Sequence, residues 1–162
     1  PEALIRSGRA IGESRLVDDG LELLDWLLDV DTSPAGWFSF TPTGGRSPGG
    51  GEGPFDQQPL EAWTTASACA AALEADTSFR WIDAVDRAAR WFAGDNDGDV
   101  VMWDGVNGAA FDGLTAQGPN PNQGAESSLA LIGTLLALDA LRSPERARHL
   151  HPSAEHWGSN HA

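Results

Sequence analysis

Glu61, Asp112 and Glu126 are the side chains best placed to do chemistry in this 162-residue sequence. Glu61 closes the string Gln57-Gln58-Pro59-Leu60-Glu61, and Glu126 closes a matching one, Asn122-Gln123-Gly124-Ala125-Glu126. In each, the carboxylate falls three residues after a Gln, on the first turn of a predicted helix. Amides beside carboxylates offer both donors and acceptors, which is what sugar hydroxyls need. The plainer alternative is that Glu61 and Glu126 are first-turn caps, each contributing about 1 kcal/mol. Asp112 lies in Phe111-Asp112-Gly113-Leu114, a Gly-flanked turn shortly before Glu126. Two carboxyl groups flanking a glycosidic bond are the minimal apparatus for cleaving it, at separations of about 5 Å for retention and about 6.5–9.5 Å for inversion. An Asx turn at Asp112 is the alternative there. Glu61, Asp112 and Glu126 are thus the candidate catalytic residues. Gln57, Gln58, Asn122 and Gln123 are candidate substrate ligands.

Seven Trp and no Tyr make an unusual aromatic set. Trp26, Trp81 and Trp91 have helical core spacing and are expected to be structural. Trp37 and Trp103 fall in loops, where an indole face can stack on a pyranose, and they join the substrate-binding candidates. Asp95-Asn96-Asp97-Gly98-Asp99 alternates oxygen ligands like a calcium loop, yet Val100 and Val106 stand where that loop needs Gly and Glu. His149, His151, His156 and His161 lack metal-ligand spacing. No metal site is expected, and with no Walker loop, nucleophile elbow or Rossmann fingerprint, no cofactor.

The elements that must position these residues show an internal repeat. At an offset of 65, Arg15-Leu16-Val17-Asp18 falls on Arg80-Trp81-Ile82-Asp83, Trp26-Leu27 on Trp91-Phe92, Gln58 on Gln123 and Glu61 on Glu126. Apolar spacing predicts helices over Glu2–Gly12, Ser14–Val30, Glu61–Ala75, Ser78–Ala93 and Ala125–Leu141. In the last of these, Leu129, Ile132, Leu135, Leu136 and Leu138 carry the apolar pattern. Long Gly- and Pro-rich stretches, Thr32–Phe55 and Gly94–Gln123, follow the second helix of each pair and are expected to gather at one end of a bundle. Within the first, Arg46–Gly53 is Gly-rich enough for disorder to be an alternative. Ser143-Pro144 breaks the pattern, so 1–142 reads as a helical-hairpin fragment and 143–162 as a polar, flexible tail.

The net charge of −14 and the absence of Lys argue against nucleic acid, whose binding rests on neutralising phosphate. No stretch approaches the roughly 20 apolar residues of a membrane span. Cys69, the single cysteine, sits in an Ala-rich run and is expected to be a buried, inert thiol. A cytoplasmic location fits this usage, and the opening Pro1 suggests a piece of a longer protein.

Leu24-Asp25-Trp26-Leu27-Leu28, Gln57-Gln58-Pro59-Leu60-Glu61-Ala62, Asp112-Gly113-Leu114 and, most specifically, Asn122-Gln123-Gly124-Ala125-Glu126-Ser127 resemble the C-terminal helical region attached to many bacterial and archaeal glycosyltransferases. The resemblance runs from about Ala3 to Leu141. That region is similar to the six-hairpin glycosidase toroids, so the resemblance implies an all-α fold, a partial (α/α) toroid, with an oligosaccharide or sugar as partner. About two and a half hairpins cannot close a six-hairpin ring, so a homodimer or a further N-terminal domain is expected to cover an exposed flank. The alternative to carbohydrate activity or binding is a non-catalytic helical scaffold for domain or subunit packing.

Overall fold

The computed structural model describes residues 1–45 and 55–142, so the expected polar tail, 143–162, and the whole Gly-rich segment 46–53 with its neighbour 54 lie outside the described residues. The chain is mostly helical: α1 (Glu2–Ile11), α2 (Ser14–Val30), α3 (Pro59–Ala72), α4 (Phe79–Ala93) and α5 (Ala125–Arg142), with one short antiparallel pair, β1 (Leu114–Thr115) and β2 (Gly118–Pro119). Helix α1 packs on α2 and α3, and α3 packs on α4 and α5.

The sequence explains most of the boundaries. Gly12, in the left-handed region with φ 76°, ends α1 and turns the chain into α2. Gly8 and Gly20 let these two helices touch, because a Cβ on Gly8 would meet Leu16 and Val17 at 2.9 Å and one on Gly20 would meet Ile5 at 2.8 Å. Pro59 starts α3 two residues earlier than the apolar pattern predicts, since its missing N–H costs nothing at a first helical position. The same helix stops at Ala72 rather than Ala75, where Glu74 and Ala75 bond back only three residues. Ser78 caps α4 through its hydroxyl, which accepts from Arg80 N–H at 3.3 Å, and Gly94 closes it with φ 117°.

The core is aromatic at its centre and small at its seams. Phe38 and Phe40 stack at 5.1 Å, Phe40 meets Trp91 edge-on at 5.7 Å, and Trp91 meets Phe92 at 5.1 Å. Ala62, Ala66, Ala71 and Ala72 of α3 are buried and allow close approach of its neighbours. Trp81 and Trp91 are buried as their spacing predicts. Trp26 is the exception, 57% exposed, because the buried stripe of α2 runs through Gly20, Leu24 and Leu28 and leaves position 26 on the far side.

The loops are organised rather than structureless. Gln57 and Leu114 pair as an isolated β-bridge, with Leu114 N–H donating to Gln57 C=O at 2.9 Å. Residues 112–114 therefore touch both helix starts, since Asp112 binds Gly124 and Ser127 at the head of α5 while Leu114 binds Gln57 at the head of α3. Periodicity gave no hint of the β1–β2 hairpin, because two-residue strands carry no alternation to detect.

Candidate functional site

A directed chain of hydrogen bonds fastens the loops to the core. Gln57 is fully buried; its Oε1 accepts from Trp91 Nε1 at 2.9 Å and its Nε2 donates to Asp97 Oδ2 at 2.6 Å. The other Asp97 oxygen accepts from Trp37 Nε1 at 3.0 Å. Asp97 is held by the turn Asp95-Asn96-Asp97-Gly98-Asp99, which is built around Asn96. The Asn96 amide donates to Trp91 C=O and Val100 C=O at 2.7 and 2.8 Å, and its oxygen accepts from the N–H groups of Gly98 and Val100. Asp95 pairs with Arg90 at 3.0 Å. The loop that resembled a calcium motif thus spends these oxygens on protein donors, and among the described residues no group of three or more His, Cys, Asp or Glu could hold a metal ion.

Asp112 is bound to the head of α5. Its Oδ1 accepts from Gly124 N–H at 2.6 Å and Ser127 Oγ at 2.7 Å, its other oxygen accepts from the Asn122 amide, and its own N–H donates to Asn122 C=O at 2.9 Å. These donors, Ser127 first, hold its carboxyl below the usual carboxylate range. Gly124 leaves room for the carboxylate, since a Cβ there would lie 2.8 Å from Asp112 Oδ1 and push it aside. Asn122, Gly124 and Ser127 of the Asn-Gln-Gly-Ala-Glu-Ser string therefore form a clasp around one carboxylate. Gln123 bonds Asn107 at 3.0 Å and Asp104 at 3.3 Å, and Gln58 donates to Thr43 Oγ1 at 3.4 Å.

Glu61 has a different environment. It lines a pocket of about 100 Å³ with Pro1, Leu24, Leu28, Asp31, Phe38 and Thr64 among its walls. Burial pushes its carboxyl above the ordinary range, and the nearby Asp31 adds to the rise. Asp31 accepts from Thr41 Oγ1 at 3.0 Å. Neither Asp112 nor Glu126 lines this pocket, so the three carboxylates do not share it. Glu126 is exposed. At the 65-residue offset Asn96 stands where Asp31 does, and its neutral amide is occupied by backbone.

Asp31 and Asp97 were not among the sequence candidates for binding or catalysis. The repeat could have flagged Asp31 as the charged counterpart of Asn96, whereas nothing local marks Asp97 as the partner of a Trp sixty residues away. Trp103 lines a groove of about 530 Å³ between α4 and α5, with Phe92, Leu131, Leu135 and Leu138. On α5 the small side chains Ser127, Ala130 and Thr134 face inward, while Leu129, Ile132, Leu135 and Leu136 are 47–64% exposed. Cys69 is buried, and burial pushes its thiol up to about 12. No helix among the described residues is long and apolar enough to cross a membrane. No protein-family model, curated protein or solved structure matches this chain.

Proposed function

We propose that this chain is a carbohydrate-handling fragment of an (α/α) toroid, belonging to a glycosyltransferase-related protein, with Glu61 as its acid/base group. The observation that carries this reading is a half-buried carboxyl, held protonated to higher pH than usual, with a second carboxylate, Asp31, in the same pocket. A pair whose environments differ is the arrangement that lets one carboxyl donate a proton while another stays anionic. In this scheme Glu61 gives its proton to the leaving glycosidic oxygen as the C–O bond breaks, Asp31 stabilises the positive charge developing at the anomeric carbon, and a water adds to that carbon and returns its proton to Glu61. Thr64, Thr65 and Phe38 in the wall supply hydroxyl and apolar contacts of the kind sugars use. The toroid is supported by the 65-residue repeat and by the hydrogen bonds that tie the heads of α3 and α5 to the same loop segment, residues 112–114. Asp112 is assigned the positioning of α5.

The test is calorimetric titration and product analysis with neutral oligosaccharides, for the parent chain and Glu61→Gln. Loss of turnover or binding in a variant that melts normally supports the reading. A specific observation favours a second reading, a packing scaffold: the exposed apolar face of α5 and the groove beside it. That reading takes over if the parent chain neither binds nor cleaves any sugar offered.

A further inference from the structure

We propose that Trp37 is a preorganised stacking platform for a sugar ring and that Asp97 is the positioning residue that holds it. The inference rests on the carbohydrate reading above and names a second subsite for it. Exposed indoles in loops normally lose affinity to their own mobility, because ordering a side chain on binding opposes association. Trp37 is 36% exposed, and hydrogen bonds within the chain tie down its ring and its loop. Its indole N–H is bonded to Asp97 at 3.0 Å, and Asp97 is in turn bonded to the buried Gln57 at 2.6 Å. Its C=O accepts from Ser33 N–H at 2.9 Å, and Thr32 and Phe38 pair as a bridge on either side of it. Arg87 of α4 locks the same turn from below. Its Nη1 donates to Thr32 Oγ1 at 2.9 Å and Gly36 C=O at 3.1 Å, and its guanidinium lies 4.2 Å from the Phe38 ring centre.

Bond polarity gives Asp97 its role. An indole can only donate, so the atom holding Trp37 must be an acceptor, and the amide of Gln57 already turns its own oxygen to Trp91 and its N–H toward Asp97. The Asp97 carboxylate accepts from both, with a separate oxygen for each donor. The next residue after Trp37, Phe38, is buried and lines the pocket of Glu61, whereas Trp37 itself is not part of that wall. In this proposal the indole is a subsite additional to the Glu61 pocket, so a chain of several sugar rings has a contact that a single ring in the pocket lacks. Trp103, the other loop indole, lines the α4–α5 groove and is not part of this network.

The experiment titrates maltotetraose, cellotetraose and mannotetraose, with glucose and mannose as monomer controls, into the parent chain, Trp37→Ala, Trp37→Phe, Asp97→Ala and the Trp37→Ala/Asp97→Ala double variant. Indole fluorescence and calorimetry read binding, and circular dichroism reads folding. Expected are tighter binding of a tetraose than of its monomer, about a tenfold loss for Trp37→Ala, and a smaller loss for Trp37→Phe, which keeps a ring. Asp97→Ala is expected to weaken binding about as much as Trp37→Ala, and to add nothing once Trp37 is gone, because a residue acting only through the indole has no effect without it. Equal additional losses in both backgrounds would overturn the positioning role. Tetraose binding that is indifferent to Trp37→Ala and Trp37→Phe, but lost in Glu61→Gln, would overturn the platform and leave the carbohydrate reading standing. A parent chain that binds none of the three tetraoses overturns both.

Discussion

Gln57 Oε1 accepts the indole N–H of Trp91 at 2.9 Å, and this bond dictates which way a fully buried amide faces. With its oxygen turned to the core, the amide must present its N–H to Asp97. Gln57→Leu therefore strands a buried donor and deprives Asp97 of one partner, and should lower stability by about 1–3 kcal/mol. Gln57→Glu should cost more at neutral pH, because a carboxylate would face the Asp97 carboxylate. The extra cost should shrink in acid, where a protonated Glu can donate as the amide does. Urea unfolding at two pH values checks this, and equal penalties for both variants at every pH would show that bond direction is immaterial.

Asp112 should behave as a cap. Replacing it by Ala removes acceptors for Gly124 N–H and Ser127 Oγ and should cost about 0.5–2 kcal/mol. Because the folded chain holds this carboxyl below its ordinary range, its contribution is present above the unfolded value and is lost as pH falls through the folded one. Thermal melts of the parent chain and Asp112→Ala should therefore differ near pH 7 and converge in strong acid.

Glu61 should show the opposite sign. Its carboxyl keeps a proton to higher pH when folded, so the folded state binds the extra proton and stability falls as pH rises from the ordinary carboxylate range through the raised value. Glu61→Gln removes that dependence and should be at least as stable as the parent chain at neutral pH. Turnover of a cleavable oligosaccharide should nevertheless drop about 10²–10⁴-fold. A variant that loses stability instead would make Glu61 a structural residue.

Gly20 lies inside α2, where Ala would ordinarily gain about 1 kcal/mol of helix propensity. The close approach of α1 should reverse that sign, because the added Cβ would sit 2.8 Å from Ile5 Cγ1 and 3.1 Å from Ile5 N. Gly20→Ala is expected to lose about 1–3 kcal/mol. Gly105→Ala, where a Cβ meets nothing within 4 Å, should stay within about 0.5 kcal/mol of the parent chain. Denaturation midpoints of the two variants decide the matter.

Apolar spacing, the repeat and helix-start residues together located all five helices of the described residues, with edges within a few residues, as Ser78, Gly94 and Pro59 show. Those features are local, set by spacings of three and four and by which backbone angles a residue tolerates. Sequence equivalence also paired Glu61 with Glu126, and there its reach ended. One is half-buried beside Asp31 and the other is exposed, because desolvation and neighbouring charge belong to the packed chain. The contacts of Asp97 with Trp37 and Gln57 close loops of 60 and 40 residues, and no local pattern encodes such closures. Trp26 and Trp91, matched by the repeat, likewise part company, since Trp26 lies on the face of α2 away from its buried stripe and is 57% exposed while Trp91 is fully buried. Residue type set what each side chain could do, and tertiary packing decided which of them met.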